Sequence, residues 1–243
     1  MWIADLRVVT FSSSTVLRVN RSDALRAAAQ AVLAEREPWV SPPPFEDTWS
    51  RFERERAGRR WVDQVEVPIE SLVPRVAAGG PDEPFASAVA ERLAASLEWH
   101  GDALPTLDYL RESGFRTALL WDSPVPLPHA WHERSRPWFD EVVGSRELGR
   151  RTPDPAAFHE ALRRLRVGPH ALLHVGEAIV EDVHAAQRVQ LRTGLLERFG
   201  RSPPDPEAAA WLRRVQGVDA SAVKPDLRLR TLEDLPSALD GLA

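Results

Sequence analysis

The chain has 243 residues, 43% hydrophobic and 28% charged, enough apolar material for one large or two modest cores. A formal net charge of −5 with arginines scattered among acids gives no field to attract nucleic acid, and the absence of cysteine excludes disulfides, thiolate zinc sites and cysteine nucleophiles. No apolar run reaches the roughly 18 residues of a membrane span and the start, MWIADLRVV, lacks the regions of a signal peptide, so a soluble, cytoplasmic protein with neither membrane nor nucleic-acid partners is expected.

The β-branched run LRVVTF at 6–11 predicts a buried strand, which runs into Ser12, Ser13, Ser14 and Thr15. An alanine-rich helix follows at 22–37, with Ser22 as its candidate N-cap and Pro38 as its stop. The prolines of 38–49 predict an extended, rigid connection, with helical segments at about 45–60, 66–78 and 83–99 and a turn at 77–84. From residue 101 the rhythm changes to alternating helix and strand. Helices are predicted at 103–114, 154–167 and 180–189, strands at 115–121, 141–145 and 171–177, a short strand within 192–200, and a last strand and helix in 227–239. Strands separated by helices imply an α/β fold with a parallel sheet covered on both faces, and place 20–100 as a helical insertion after the first strand.

Three stretches carry a family likeness. WFDEVVGSRELGRRTPDPAAFHEALRRL (138–165), ALLHVGEAIVEDVHAAQRV (171–189) and LPTLDYLRESGFRTALLWDS (104–123) are similar to segments of the haloacid dehalogenase-like (HAD) superfamily. The resemblance implies a Rossmann-like core formed by 1–19 and 101–243 with a helical cap formed by 20–100. It also implies a hydrolase that transfers phosphoryl groups through an aspartate and a magnesium ion. At each of the four motif positions this chain carries something else. Where the family places its nucleophilic aspartate and, two residues on, its acid/base, the sequence has Ser12 and Ser14. Serine attacks only with the help of a general base, and none lies near in sequence. Trp121 stands where the phosphoryl-binding hydroxyl is expected, with Asp122 after it and Ser123 as the substitute if the alignment slips by two. Thr152 stands where a cation is expected; Arg151 beside it is read as a surface residue, since neighbours on an extended segment point to opposite sides. Glu177 and Asp182 occupy the magnesium-binding acids, with Glu181 beside the second, and the longer glutamate suits octahedral magnesium poorly.

The resulting expectation is a family member that has lost its hydrolase chemistry, with no magnesium and no other cofactor. It would bind a small molecule in the cleft between cap and core, through Ser12, Ser13, Ser14, Trp121, Asp122, Arg151, Glu177 and Asp182, or a protein partner, including a second copy of itself. The alternative is an active enzyme of altered chemistry, using Ser12 or water as nucleophile or catalysing a non-hydrolytic step in the same pocket. His129 and His132 are three apart, as in some zinc sites, but no third ligand is placed; His174 reads as a packed core residue. The nine tryptophans, among them Trp39, Trp49, Trp61, Trp99, Trp131 and Trp138, are expected to pack the cap on the core or to line a cleft.

Overall fold

A computed structural model describes residues 5–18, 21–35, 45–72, 83–200 and 203–240. Strand β1 (Val8–Ser12) is followed by one helical turn, α1 (Ser13–Val16), and the two-residue strand β2 (Leu17–Arg18). Helices α2 (Arg21–Glu35), α3 (Phe45–Val62) and α4 (Glu83–Ala94) come next, and β3 (Glu98–Trp99) pairs antiparallel with β2, closing the base of this helical insert. The remainder alternates α5 (Ala103–Glu112), β4 (Arg116–Trp121), α6 (His129–Ser135), β5 (Glu141–Gly144), α7 (Ser145–Leu148), α8 (Ala156–Leu165), β6 (Leu172–Gly176), a wide turn at Ile179–His184 leading into α9 (Ala185–Gln187), β7 (Arg192–Leu196), α10 (Pro206–Trp211), β8 (Leu227–Leu229) and α11 (Asp234–Asp240).

Six of these strands form one parallel sheet in the order β5-β4-β1-β6-β7-β8. Successive residues feed opposite faces, as a pleated strand buried on both sides requires. Val9, Phe11, Leu119, Trp121, Leu173 and Val175 join the core beneath the insert and α5, while Val8, Ala118, Leu120, Val143 and Leu172 pack against Phe158, Ala161 and Leu165 of α8. The connections leave β1 toward β4 on one side and β6 on the other, so its C-terminal end lies at the switch point where such sheets bind ligands. Ser12 stands at that point.

Several expectations need correction. The helix predicted at 66–78 is, in its described part, a single 3-10 turn at Ile69–Leu72 between Pro68 and Pro74, preceded by Val65 in an isolated bridge to Arg150. Pro68 disfavours helical backbone at Val67, so the turn starts only after it. The last predicted cap helix stops at Ala94, and Glu98 and Trp99 become a strand. Helix α2 already begins at Arg21, so Ser22 lies inside it and is not the N-cap. Trp39, the proline-rich connection at 38–44 and the turn at 77–82 lie outside the described residues.

Candidate functional site

The insert covers the C-terminal ends of the strands and encloses a cavity of about 420 Å³. One wall is apolar and includes Leu25, Leu93, Leu97 and Trp121; Trp121 is buried and its Nε1 donates to the Val125 carbonyl at 3.0 Å. Helix α3 supplies the roof through a stripe at helical spacing, Trp49, Phe52, Arg56 and Arg60. The polar floor is an ion-pair cluster. Asp122 accepts from Arg60 at 2.9 Å, Arg151 at 3.3 Å and Arg56 at 3.4 Å. Glu66 is wholly buried and accepts a bidentate pair from Arg56 at 2.7 and 3.0 Å, with Ser145 Oγ donating to it at 2.7 Å. Burial opposes the charge of Arg56, but Glu66 and Asp122 outweigh it and hold its pKa above the ordinary value.

Arg151 corrects the expectation of a surface residue: it is 4% exposed, with Nη2 on Asp122 and Nη1 donating to the Arg56 carbonyl at 3.3 Å. Its backbone N–H donates to Gln64 O at 2.9 Å, anchoring the loop to the insert, and Arg150 turns outward instead. Glu181 completes the wall 3.6 Å from Arg60. Burial, assisted by Asp182, raises its carboxyl to about 7 against the pull of Arg60.

The serine loop is a separate arrangement outside that wall. Ser12 Oγ donates to Asp182 Oδ2 at 3.5 Å, and the same oxygen accepts the backbone N–H groups of Glu177 and Ala178 at 2.8 Å each. Asp182 Oδ1 lies 3.4 Å from His174 Nε2, whose Nδ1 meets Thr10 Oγ1 at 3.0 Å, while the ring packs edge-on against Phe158. His174 is thus a hydrogen-bonded core histidine. Ser13 is buried, Ser14 half-buried, and Thr15 Oγ1 donates to the Ser12 carbonyl at 2.6 Å. Glu177 faces a second cavity, about 260 Å³, bordered also by Glu181 and Asp205. Asp182 comes so close to β6 that a Cβ at Gly176 would lie 2.2 Å from its Cβ, which is why this strand ends in glycine. Gly176→Ala should therefore destabilise the protein by about 1–3 kcal/mol, measured by urea unfolding, because neither backbone can retreat without breaking the carboxylate's hydrogen bonds.

These residues do not fit magnesium. The position for an anionic bridging ligand holds the neutral Ser12, and the oxygens of Asp182 are turned onto two backbone N–H groups and His174. Among the described residues no group of three or more His, Asp or Glu side chains is arranged to hold a metal ion, the His129–His132 pair included. Trp131, Trp138 and Phe139 pack around Trp99, Trp138 edge-on and Phe139 stacked, and none of the four borders the cavity, whereas Trp61, in its wall, packs on Trp211 of α10 with centroids 5.7 Å apart. The sequence reading missed Arg56, Arg60 and Glu66. The signal that could have found two of them is the stripe on α3, in which aromatic residues give way to arginines on one face.

A family model described as haloacid dehalogenase-like hydrolase matches residues 8–190. The chain belongs to the haloacid dehalogenase-like hydrolase family. It is 34% identical over 112 residues to a glyceraldehyde 3-phosphate phosphatase of Methanopyrus kandleri, a stretch covering 43% of this chain and 46% of that protein. It is 34% identical over 74 residues to haloacid dehalogenase-like hydrolase domain-containing protein 3 of Xenopus laevis, covering 30% of this chain and 28% of that one. The chain thus matches less than half the length of either curated relative. Among solved structures, a 2-haloacid dehalogenase from Pseudomonas syringae pv. Tomato superposes with a TM-score of 0.66 at 23% identity, over 98% of this chain and 100% of the other. A HAD phosphatase from Thermococcus onnurineus gives 0.63 at 20% identity, over 97% and 99%. These likenesses show the HAD fold. No helix among the described residues is long and apolar enough to cross a membrane.

Proposed function

We propose that this HAD family member has lost phosphoryl transfer through an aspartate and magnesium, and acts by binding a small molecule in the cleft between the helical insert, as cap, and the parallel-sheet core. It uses no resident metal or other cofactor. The observation that carries the reading is the end of β1: at the switch point stands a serine hydroxyl, and the carboxylate nearest to it is engaged by two backbone amides. Phosphoryl transfer in this fold depends on an anion that both attacks and helps to hold the metal, and a neutral hydroxyl does neither unaided. Trp121 supports the reading by placing an indole, not a hydroxyl, at the end of β4.

One observation favours a second reading, an enzyme of altered chemistry: Ser12 Oγ lies within reach of Asp182. A serine relieved of its proton by that carboxylate would be a nucleophile. The two readings separate in one assay. Hydrolysis of p-nitrophenyl phosphate with and without added magnesium is expected to stay at background, with Ser12→Ala folding and behaving like the unchanged protein. Ser12→Asp should also stay inactive, because the new carboxylate would face Asp182 and because groups that act as a unit are not restored singly. Turnover by the unchanged protein that disappears in Ser12→Ala would establish the second reading instead.

A further inference from the structure

We infer that the cleft ligand is a small organic cation, an amine with a compact apolar body, its charge set against Glu53 of the insert and Asp205 and Glu207 of the core. The inference rests on the proposal that the cleft binds a small molecule, and names its chemical class. Among the described residues the cavity wall holds five carboxylates, Glu53, Asp122, Glu181, Asp205 and Glu207, against three guanidiniums, Arg56, Arg60 and Arg151. All three guanidiniums are drawn into the polar floor. Asp122 accepts from each of them, Glu66 behind the wall takes two bonds from Arg56, and Glu181 stands 3.6 Å from Arg60. Three positive charges thus face three carboxylates there, and the count leaves Glu53, Asp205 and Glu207 in excess. Arg26 of α2 also acts on Glu53, but its own ion pair is with Glu46.

A wall with surplus negative charge repels an anion and draws a cation. The surplus persists with Glu181 left out of the count, at four carboxylates against three guanidiniums. An inorganic divalent ion does not match the arrangement, since no three acid or histidine side chains among the described residues are placed to hold one. What the cavity offers beside its carboxylates is aromatic surface, from Trp49, Phe52, Trp61 and Trp121. The face of an aromatic ring attracts a cation, and this wall already holds one in that way, with Arg60 Cζ 5.9 Å from the centroid of Trp61. Ring faces and counter-charges in one enclosure are the chemistry that recognises an ammonium group. A volume of about 420 Å³ leaves space for a single ring or a branched chain behind it.

The test titrates the intact protein with phenethylamine, its uncharged counterpart phenethyl alcohol, and phenylacetate of opposite charge, following the fluorescence of the tryptophans in the cavity wall and, independently, calorimetry. Phenethylamine should bind saturably and at least about tenfold more tightly than the alcohol, a preference that shrinks as salt is added. The triple variant Glu53→Gln, Asp205→Asn, Glu207→Gln should lose that preference while still binding the alcohol. Asparagine keeps the acceptor with which Asp205 receives the N–H groups of Glu207 and Ala208, so α10 stays capped, and the melting temperature without ligand confirms that the variant is folded. Equal binding of amine and alcohol by the unchanged protein overturns the cation assignment but leaves the cleft as a binding site. Tighter binding of phenylacetate overturns it in favour of an anion. A folded triple variant that keeps the full preference overturns the role given to its three carboxylates. Saturable binding of none of the probes overturns both the assignment and the small-molecule reading beneath it.

Discussion

Glu66→Leu is expected to destabilise the folded protein by about 3–5 kcal/mol, and Arg56→Met by a similar amount, whereas the double variant should recover most of the loss. The Glu66 side chain is 1% exposed and, among the described residues, its one close cationic partner is Arg56, with Arg151 Nε 4.0 Å away. Removing the carboxylate leaves Arg56 and Arg151 to share Asp122 with Arg60; removing Arg56 leaves a buried carboxylate held by Ser145 and a distant guanidinium. Removing Arg56 strands a carboxylate that is 1% exposed, and removing Glu66 strands two guanidiniums, of which Arg151 is 4% exposed. Taking both away removes two desolvation penalties together with the attraction that offset them, so the cycle should show a large favourable coupling. Urea unfolding of the four proteins measures it. Single variants within about 0.5 kcal/mol of the parent would mean that solvent enters the cluster and screens it, so that the pair contributes no more than a surface bridge.

The same cluster explains what the sequence could and could not disclose. The core was legible because its strands are short apolar runs bounded by helices: Val8–Ser12, Arg116–Trp121 and Leu172–Gly176 fall within a residue or two of the expected spans. Helix α8 was legible for the same reason, its apolar positions recurring at helical spacing. Arg151 was not. Alternation along the chain is real there, since Arg150 points out and Arg151 in, but sequence could not supply the phase. That phase is set by Asp122 and Glu66, 29 and 85 positions away, and by the backbone bond to Gln64, none of which leaves a local trace.

The division of the candidate residues between two places was equally hidden. Trp121, Asp122 and Arg151 border the large cavity, whereas Ser12 and Asp182 close on each other through the loop after β6 and Glu177 faces the smaller cavity. A family pattern groups these residues by their shared role; the side chains actually present sort them by charge. With a neutral hydroxyl at β1, Asp182 finds its donors in the backbone. The arginines of α3 and of the loop before Pro153 find their acceptors in Glu66 and Asp122, which ties the insert to the sheet.

Stability should fall as pH rises from about 4.5 to about 7, relative to a Glu181→Gln variant, by on the order of 3 kcal/mol. The cause is the burial of Glu181 beside Asp182, which Arg60 at 3.6 Å does not fully offset and which raises its carboxyl from 4.5 to about 7. Below the ordinary value the side chain is protonated in folded and unfolded chains alike, and contributes nothing. Between the two values the unfolded chain has released the proton while the folded one keeps it, so the folded state binds more protons and loses ground with each step in pH. Above about 7 both are ionised and the full penalty is present. Glutamine is neutral throughout, so the variant should equal the parent near pH 4.5 and exceed it at pH 8. Carboxyls held below their ordinary range, such as Asp102 by Leu232 N–H, Arg198 and Thr231 against its burial, act only on the acid limb and are common to both proteins, so they cancel in the difference. Urea unfolding at pH 5 and pH 8 is sufficient to read it. Parallel curves would mean that Glu181 is already ionised in the folded protein at pH 5, its burial offset in full by Arg60.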